Sequence, residues 1–441
     1  MVKQATMTYK ETLDFLYSSL PMYQRTGKAA YKANLDNTLA LDKALGHPHR
    51  DFPSVHIAGT NGKGSVSHML ASIFQAAGYK TGLYTSPHML DFRERIRVNG
   101  KMISENDVLD FVQRIKPQIK EICPSFFEMT VAMAFDHFSR ERVDMAIIET
   151  GMGGRLDSTN ILIPELSVLT SISMDHTEFL GDTLVKIAGE KAGIIKEGIP
   201  VVCGSNSREV NEVFEKKAAA MKAGIEFSED RRTFLYQTYT VDMLNSMYHF
   251  RNLADRTTIA YGCDLTGSYQ SENLNIVISS IGILQELGWK ITESAITSGL
   301  MNVKKNTDLR GRWELLGSNP RIICDNAHNE AGIRQVINQL IQIPCRELHI
   351  VFGTVGEKAI DRILPLLPAQ ANYYFTQASI PRALPVSILK EEAALYNLTG
   401  RSYKSVGEAF TAARKNAHAE DTIFVGGSTF VVADLLEYLQ K

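Results

Sequence analysis

Short β-rich runs and longer helix-like segments alternate through the first half of the chain. The predicted strands are "SVHIAG", "KTGLYTS", "VDMAIIETG", "ELSVLTSIS" and "IPVVCGS", and the first is followed by the helical-looking "VSHMLASIFQAAG". Such alternation predicts an α/β fold, a parallel sheet wrapped by helices. From about Ser207 to Tyr261 the pattern blurs, and "MKAGIEF", "RTFLYQTYTV" and "MYHFRNLADRTTIAYG" suggest antiparallel strands or a hairpin-rich insertion. A helix, "NLNIVISSIGILQELG", and the segment "ITESAITSGLMNV" lead into the polar stretch "KKNTDLRGR", read as an interdomain linker. The alternation then restarts with "RIICDNAH", "ELHIVFG", "ANYYFTQ" and "DTIFVGGS". The expected organisation is a domain over residues 1–303, a linker over 304–311 and a smaller α/β domain over 312–441. No tandem repeat or low-complexity segment interrupts it.

Composition narrows the partners. The chain has 441 residues, more than one core usually serves, and 47 basic against 49 acidic residues give a formal net charge of -2. The charges are mixed along the chain, so no long-range field favours nucleic acid or an anionic membrane, and a small-molecule partner fits better. The five cysteines, Cys123, Cys203, Cys263, Cys324 and Cys345, stand singly without metal-ligand spacing, and their odd number argues against a closed disulfide set. A reducing cytoplasm is the expected location. The N-terminal stretch lacks an apolar core of signal-peptide length, and no uncharged apolar run approaches the roughly 18 residues a membrane span needs.

Chemistry concentrates after the strand-like runs, where ligands bind in parallel α/β sheets. "HIAGTNGKGS", His56 to Ser65, joins the first strand to a helix. A glycine-rich turn at a helix N-terminus directs backbone N–H groups and the helix dipole at an anion. Gly59, Thr60, Asn61, Gly62 and Gly64 would form the cradle, Lys63 would neutralise phosphate charge, and Ser65 would offer an oxygen to magnesium. The alternative is a plain glycine turn between a strand and a helix. One detail departs from the usual nucleotide loop: Gly64 separates Lys63 from Ser65.

That inserted glycine carries a family resemblance. "GTNGKGS" resembles the nucleotide loop of the folylpolyglutamate synthase and dihydrofolate synthase family, relatives of the Mur ligases, whose own loop places Thr directly after Lys. The resemblance implies an N-terminal P-loop ATPase domain of Mur-ligase type and a smaller Rossmann-like C-terminal domain. "LYTSPHMLDFRERIRVNG" looks like the family's substrate-facing loop, with Ser86 near magnesium; by itself it reads as a surface loop with Arg93, Arg95 and Arg97 solvated. In "VDMAIIETGMGGRLDSTN", Glu149 ends a β-branched run where a carboxylate can reach magnesium on phosphates, or alternatively cap the next helix or pair with Arg155. "SISMDHTEFLG" brings Asp175 and His176, and the resemblance makes His176 a third magnesium ligand beside Ser86 and Glu149. An imidazole is an unusual magnesium ligand and needs the carboxylate for support.

Lys191, in "GEKAGIIKEG", is similar to a lysine carbamylated in this family; otherwise it is an ordinary helix lysine near Glu190. "LTGSYQSENLNIV" resembles the segment that places Asn273 near the adenine. "RGRWELLG" and "CDNAHN" match the second domain's signature blocks and suggest Arg312 and Asp325 for ATP and His328 for the phosphates. Residues from two domains closing on one nucleotide imply that domain movement is part of turnover. "VFGTVGEKAIDR" departs from the family's usual aspartate-lysine-aspartate run, having Glu357, Lys358 and Asp361, and is given no role.

The implied reaction is ATP-dependent: a carboxylate on a pteroate or folate takes the γ-phosphate to form an acyl phosphate, and the α-amine of L-glutamate then displaces phosphate. Lys63, Lys191 and His328 are the candidate catalytic residues, with ATP and one or two magnesium ions as cofactors. Asp157 and Phe127 are candidates for gripping the pterin, although Phe127 reads equally well as core. His88, in the "TSPH" segment, is similar to bifunctional members that use dihydropteroate and extend folate tails. The competing readings are tail extension alone, another Mur-type amino-acid ligase, and a non-catalytic nucleotide switch. A monomer is the default expectation.

Overall fold

The computed structural model describes residues 7–21, 34–240, 243–356 and 360–441. Glu357 and Lys358 lie outside the described residues. Two large sheets divide the chain, with a small three-stranded sheet between them in sequence. The first contains β1 (Ser54–Ala58), β2 (Thr81–Tyr84), β3 (Ile96–Val98), β4 (Lys101–Met102), β5 (Met145–Glu149), β6 (Leu166–Leu169), β7 (Val201–Cys203) and β8 (Ile225–Phe227). Their spatial order is β4-β3-β2-β5-β1-β6-β7-β8. From β2 to β8 every pairing is parallel, and β3 and β4 add an antiparallel edge.

Strand periodicity sends alternate side chains to opposite cores. Met145 and Ile147 of β5 join the cluster beneath the Lys63–Ala76 helix, while Ala146 and Ile148 join the cluster beneath the Glu105–Ile122 and Phe126–Glu141 helices. Each large aliphatic or aromatic side chain buried this way stabilises the fold by about 1.5–3 kcal/mol relative to exposure. The Lys63–Ala76 helix is covered on its far side by the Gln270–Glu286 and Glu293–Met301 helices, which explains why its run from Ser65 to Phe74 is buried all round. Within that run the Ser72 hydroxyl donates to the Gly299 carbonyl (2.6 Å), which ties the Lys63–Ala76 helix to the Glu293–Met301 helix.

The blurred region resolves into two different objects. The Arg208–Ala220 helix and β8 continue the main parallel sheet, contrary to the expectation of an insertion beginning near Ser207. Only β9 (Arg232–Tyr239), β10 (Ser246–Asn252) and β11 (Thr258–Cys263) form the antiparallel sheet, in the order β11-β10-β9. The stretch read as a linker begins inside a short helix, Val303–Thr307, packed against the Lys63–Ala76 helix. Thr307 Oγ1 donates to Val303 O (2.6 Å), and buried Val303 joins the first domain's core.

The second sheet runs β12-β13-β17-β14-β15-β16, from β12 (Glu314–Ser318), β13 (Arg321–Asp325), β14 (Leu348–Phe352), β15 (Asn372–Phe375), β16 (Gly400–Ser402) and β17 (Thr422–Gly426). It is parallel except for the β12-β13 pair. Among the described residues all five cysteines are free thiols, and no described helix is long and apolar enough to cross a membrane.

Candidate active site

The connections leaving the carboxyl ends of β1 and β6, neighbours in the sheet, run to opposite sides, which opens a crevice there. Loops after β1, β2, β5 and β6 and the loop after β13 of the second sheet surround one cleft of about 1130 Å³. It is lined by Gly59–Ser65, Ser86, His88, Glu149, His176, Lys191, Asn273, Arg312, Asp325 and His328, so the sequence-predicted residues other than Phe127 and Asp157 converge.

The glycine loop is shaped by close contact as well as by turn conformation. Gly62 has φ +89°, and a Cβ there would stand 2.3 Å from the Asn273 side-chain oxygen; a Cβ on Gly59 would stand 1.8 Å from Thr170 Oγ1. The β6 loop stitches the turn in place: Thr60 N–H donates to Ser171 O (2.8 Å), Thr170 Oγ1 donates to Asn61 O (2.7 Å), and Thr60 Oγ1 both donates to Ser173 O and accepts from Ser173 N–H. Asn273 thus lies directly against the loop. Its Nδ2 donates to Gln270 Oε1, and Gln270 Nε2 donates to Ser65 Oγ.

Two lysines share one carbonyl. Lys63 Nζ donates to Gly59 O (3.1 Å) and Thr60 O (3.2 Å), and Lys191 Nζ donates to Gly59 O at 2.6 Å. Lys191 is 4% exposed and is not an ordinary surface lysine: Glu190 pairs with Arg155 instead (2.9 Å). Burial, reinforced by Lys63, lowers the Lys191 pKa to about 7.

Glu149 sits buried at the end of β5, where one oxygen accepts the Ser86 N–H (3.2 Å). Burial raises its pKa, opposed by the positive charges of Lys63 and Arg312. A buried carboxylate with acceptor capacity beyond one N–H, beside the glycine loop at Gly64, has the oxygen donors that suit a hard cation such as magnesium.

The "TSPH" segment departs from the solvated loop of the sequence reading. Arg95 and Arg97 are buried. Arg95 Nε donates to His88 Nδ1 (2.8 Å) and its guanidinium lies 5.3 Å from the Phe126 ring centre; Arg97 reaches Asp308 (3.2 Å). Because arginine only donates, the His88 ring proton sits on Nε2, facing Tyr17 Oη at 3.4 Å. Burial and then Arg95 lower the His88 pKa to about 3, so the ring presents a neutral imidazole at the cleft.

Across the cleft, Asp325 is a hub. Its carboxylate accepts from Tyr269 Oη (2.6 Å), Trp313 N–H (2.7 Å) and Ala327 N–H (2.8 Å), and burial raises its pKa against those bonds. His328 Nδ1 faces Asn326 O (3.0 Å) while Nε2 lies 3.6 Å from Asp175 of the first domain. Asn329 caps its helix by accepting Gly332 N–H (2.9 Å). It also exchanges amide hydrogen bonds with Asn61 of the glycine loop (2.9 and 3.2 Å) and reaches Asp175 (3.4 Å).

Two predicted residues stand apart. Asp157 does not offer its carboxylate to the cleft: one oxygen accepts Gly151 and Met152 N–H and the other accepts Thr159 N–H and Oγ1, capping the turn at Ser158–Ile161. Phe127 packs on the second core cluster, its ring over Gly151, where a Cβ would come within 2.3 Å. The residues not singled out from the sequence are Tyr17, Tyr269, Gln270 and Asn329; only tertiary pairing reveals them, since nothing in their local spacing marks a ligand.

Two family models match in order, the Mur ligase middle domain over residues 57–281 and the Mur ligase glutamate ligase domain over residues 311–429. The chain is 31% identical, over 97% of its length, to a probable bifunctional folylpolyglutamate synthase/dihydropteroate synthase of Haloferax volcanii, and it spans about half (50%) of that relative. It is 32% identical to a dihydrofolate synthase/folylpolyglutamate synthase of Bacillus subtilis, with 94% of this chain and 96% of that one covered. Among solved structures it is similar to E. coli FolC in complex with DHPP and ADP, with a TM-score of 0.85, 27% identity, and 100% of this chain and 99% of that chain covered. With both domain models matched in order and a relative aligned almost end to end, the chain belongs to the dihydrofolate synthase/folylpolyglutamate synthase family of Mur ligases.

Proposed function

We propose that this chain ligates L-glutamate to dihydropteroate and to the glutamate tail of reduced folates, using ATP through an acyl phosphate. The observation that carries this reading is the facing of two domains across one cleft. The phosphate loop and Lys63 come from the first, His328 and Asn329 from the second, with Asp175 and Asn61 touching the latter pair. A carboxylate does not condense with an amine in water because its oxygen is a poor leaving group. In the first step a carboxylate oxygen attacks the γ-phosphorus and the bond to the ADP oxygen breaks. In the second the glutamate α-amine attacks the acyl carbon, the carbon–oxygen bond breaks, phosphate leaves and the amine's proton is released.

Lys63 and the N-terminus of its helix would bind the phosphates and offset charge as the phosphoryl group moves. His328, whose Nδ1–H donates to the Asn326 carbonyl, would donate to the same oxygens through Nε2–H in its imidazolium form. Ser86, Glu149 and His176 would hold magnesium, with Ser65 nearby, and the bound cation would further neutralise phosphoryl charge. Lys191, buried with its pKa lowered to about 7, has the neutral amine population needed to add carbon dioxide, lose a proton to solvent and become an anionic carbamate. The bifunctional reading is supported by the likeness to the Bacillus subtilis dihydrofolate synthase/folylpolyglutamate synthase, and His88, pinned by Arg95, would offer a fixed ring at the substrate-facing loop. Phe127 and Asp157 would act on the pterin indirectly, by shaping the Gly151–Met152 backbone that lines the cleft.

The test is magnesium- and ATP-dependent ADP release with L-glutamate, comparing dihydropteroate with tetrahydrofolate monoglutamate and weighing the products by mass spectrometry. One added glutamyl unit on both acceptors is the expected result. Extension of tetrahydrofolate alone reduces the reading to tail lengthening, and nucleotide binding without a new amide overturns it. Sedimentation of the same preparation tests the expected monomer.

A further inference from the structure

Away from the cleft, the short stretch "DKALGHPH" folds back on itself. The Asp36–Ala44 helix ends through Gly46 (φ +82°) and His47 (φ +64°), and His47 N–H donates to Asp42 O (2.8 Å). Pro48 then starts the Pro48–Arg50 turn, which carries His49 back over the same helix turn. Both imidazoles aim Nδ1 at one carboxylate: His47 Nδ1 lies 2.6 Å from Asp42 Oδ2 and His49 Nδ1 lies 2.6 Å from Asp42 Oδ1. The three groups place one ligand atom each within 4.8 Å of one another.

Burial makes this more than a surface cluster. The Asp42 side chain is 4% exposed and His49 is 11% exposed, while His47 is open at 41%. Among the described residues no lysine or arginine pairs with Asp42, so its buried charge faces only the two imidazoles. Two imidazoles and a carboxylate are the donor set of zinc-class divalent ions rather than magnesium, and three protein ligands with an open side leave room for water. Tetrahedral ligands at about 2.0–2.1 Å from an ion lie about 3.3 Å apart, so the nitrogen–oxygen gaps need to open by roughly 0.7 Å, within the reach of small side-chain rotations. Each neutral ring would shift its one proton from Nδ1 to Nε2 through solvent and offer the freed lone pair, with no net proton lost.

We propose that Asp42, His47 and His49 form a zinc-class metal site, separate from the nucleotide site. None of the three lines the cleft. A bound ion would clip the Asp36–Ala44 helix to the turn that enters β1, the strand leading into the glycine loop, which makes this a structural site.

The test uses the untagged full-length chain, stripped with a chelator and held in excess magnesium, titrated with Zn2+ against a chromophoric zinc chelator. One Zn2+ per chain is expected, bound at least about tenfold more weakly by either His49→Gln or Asp42→Asn. Zinc-edge X-ray absorption of the wild-type complex, which stands whether or not a variant folds, is expected to show two imidazoles with oxygen completing the shell. An absorption spectrum without imidazole, no Zn2+ retained in competition, or equal affinity in wild type and both folded variants overturns the site and leaves a hydrogen-bonded staple.

Discussion

Replacing Gly64 with alanine separates what the glycine loop contributes to folding from what it contributes to chemistry. Gly64 is the second residue of the Lys63–Ala76 helix and does not have a positive φ, so alanine suits its backbone. Helix propensity and the smaller entropy of the unfolded chain favour alanine by up to about 1 kcal/mol, less in a first turn. The new Cβ would stand 3.3 Å from Arg312 Nη2 and 3.9 and 4.0 Å from the Glu149 carboxylate oxygens. Only the first is tighter than ordinary contact, and a guanidinium at the end of a flexible side chain yields by a few tenths of an ångström at little cost. The melting temperature should therefore hold or rise, by roughly 1–2 °C at most for a domain of this size.

Activity should move the other way. The methyl would fill the space between the helix N-terminus, Glu149 and Arg312, where the phosphates and cation are proposed to sit. A misplacement of about 1 Å can cost about a hundredfold in rate, so a shift of a few tenths should lower kcat/KM for ATP by about three- to tenfold, or about 0.7–1.4 kcal/mol. ADP release and scanning calorimetry on one preparation measure both quantities. A fall in melting temperature of more than about 2 °C, or kcat/KM within about twofold of wild type, refutes the reasoning.

Asn329→Ser keeps a helix-capping oxygen but loses the amide that reaches Asn61 and Asp175; kcat should fall about tenfold with a near-normal melting temperature, and an unchanged kcat in steady-state assays removes Asn329 as the bridge between domains. With its pKa lowered to about 7, Lys191 should pass from about one-tenth neutral at pH 6 to about nine-tenths at pH 8. At constant dissolved 13C-labelled carbon dioxide, a carbamate NMR signal should grow across that window and be absent from Lys191→Met; equal signals in both proteins contradict carbamylation. Because the unfolded lysine stays protonated up to about pH 10.4, the native state binds fewer protons above pH 7, so this residue's contribution makes stability rise with pH there, and Lys191→Met should flatten that rise in urea titrations. In the second domain, Asp421 accepts bonds from Arg346, Glu347 N–H and His418 N–H, and the Arg346 guanidinium first among them holds its carboxyl well below the usual range. Its stabilisation is complete above the unfolded pKa of about 3.9 and is lost as pH falls toward the native value. Asp421→Ala should cost about 2–3 kcal/mol at neutral pH, moderated by the half-exposed Arg346 partner, and the gap to wild type should narrow in acid. A gap independent of pH would show that packing, not charge, is responsible.

Strand periodicity made nine strands legible because each is a run of apolar residues bounded by polar or glycine-rich turns, as in "MAIIE" and "TIFVG". The strands not anticipated are short or partly exposed: β4 has two residues, β3 and β16 have three, and β12 is only half buried, so no hydrophobic pattern sets them apart from loops. Half-buried β8 reads as a strand in the sequence, but as part of the antiparallel insertion instead of the parallel sheet. The linker reading failed in its first half for a related reason. "VKKNT" is polar on its outer face, yet Val303 and Thr307 point inward, and five residues are too few for a helical period to stand out.

The cleft was legible where chemistry is local and illegible where it is relational. Gly59 to Ser65 carry the proposed phosphate site in seven consecutive residues. The charge state of Lys191, by contrast, depends on burial and on Lys63, 128 positions earlier in the chain, acting at the same Gly59 carbonyl. Arg95 has the composition of a surface residue but is buried because His88 and the Phe126 ring receive its guanidinium. Asp157 shows the converse. Its position in a glycine-rich loop invites a ligand role, but four donors from its own loop occupy both oxygens, so the carboxylate builds the floor that a ligand would meet. Asn329 combines both cases: its helix-capping role follows from the sequence position before "EAGIRQ", whereas its bond to Asn61 exists only because the second sheet presents the end of β13 to the end of β1. The hydrogen bonds that join the glycine loop to the second domain are therefore made by a residue whose local signal reads as ordinary capping, and measuring turnover and stability together is what separates the two roles.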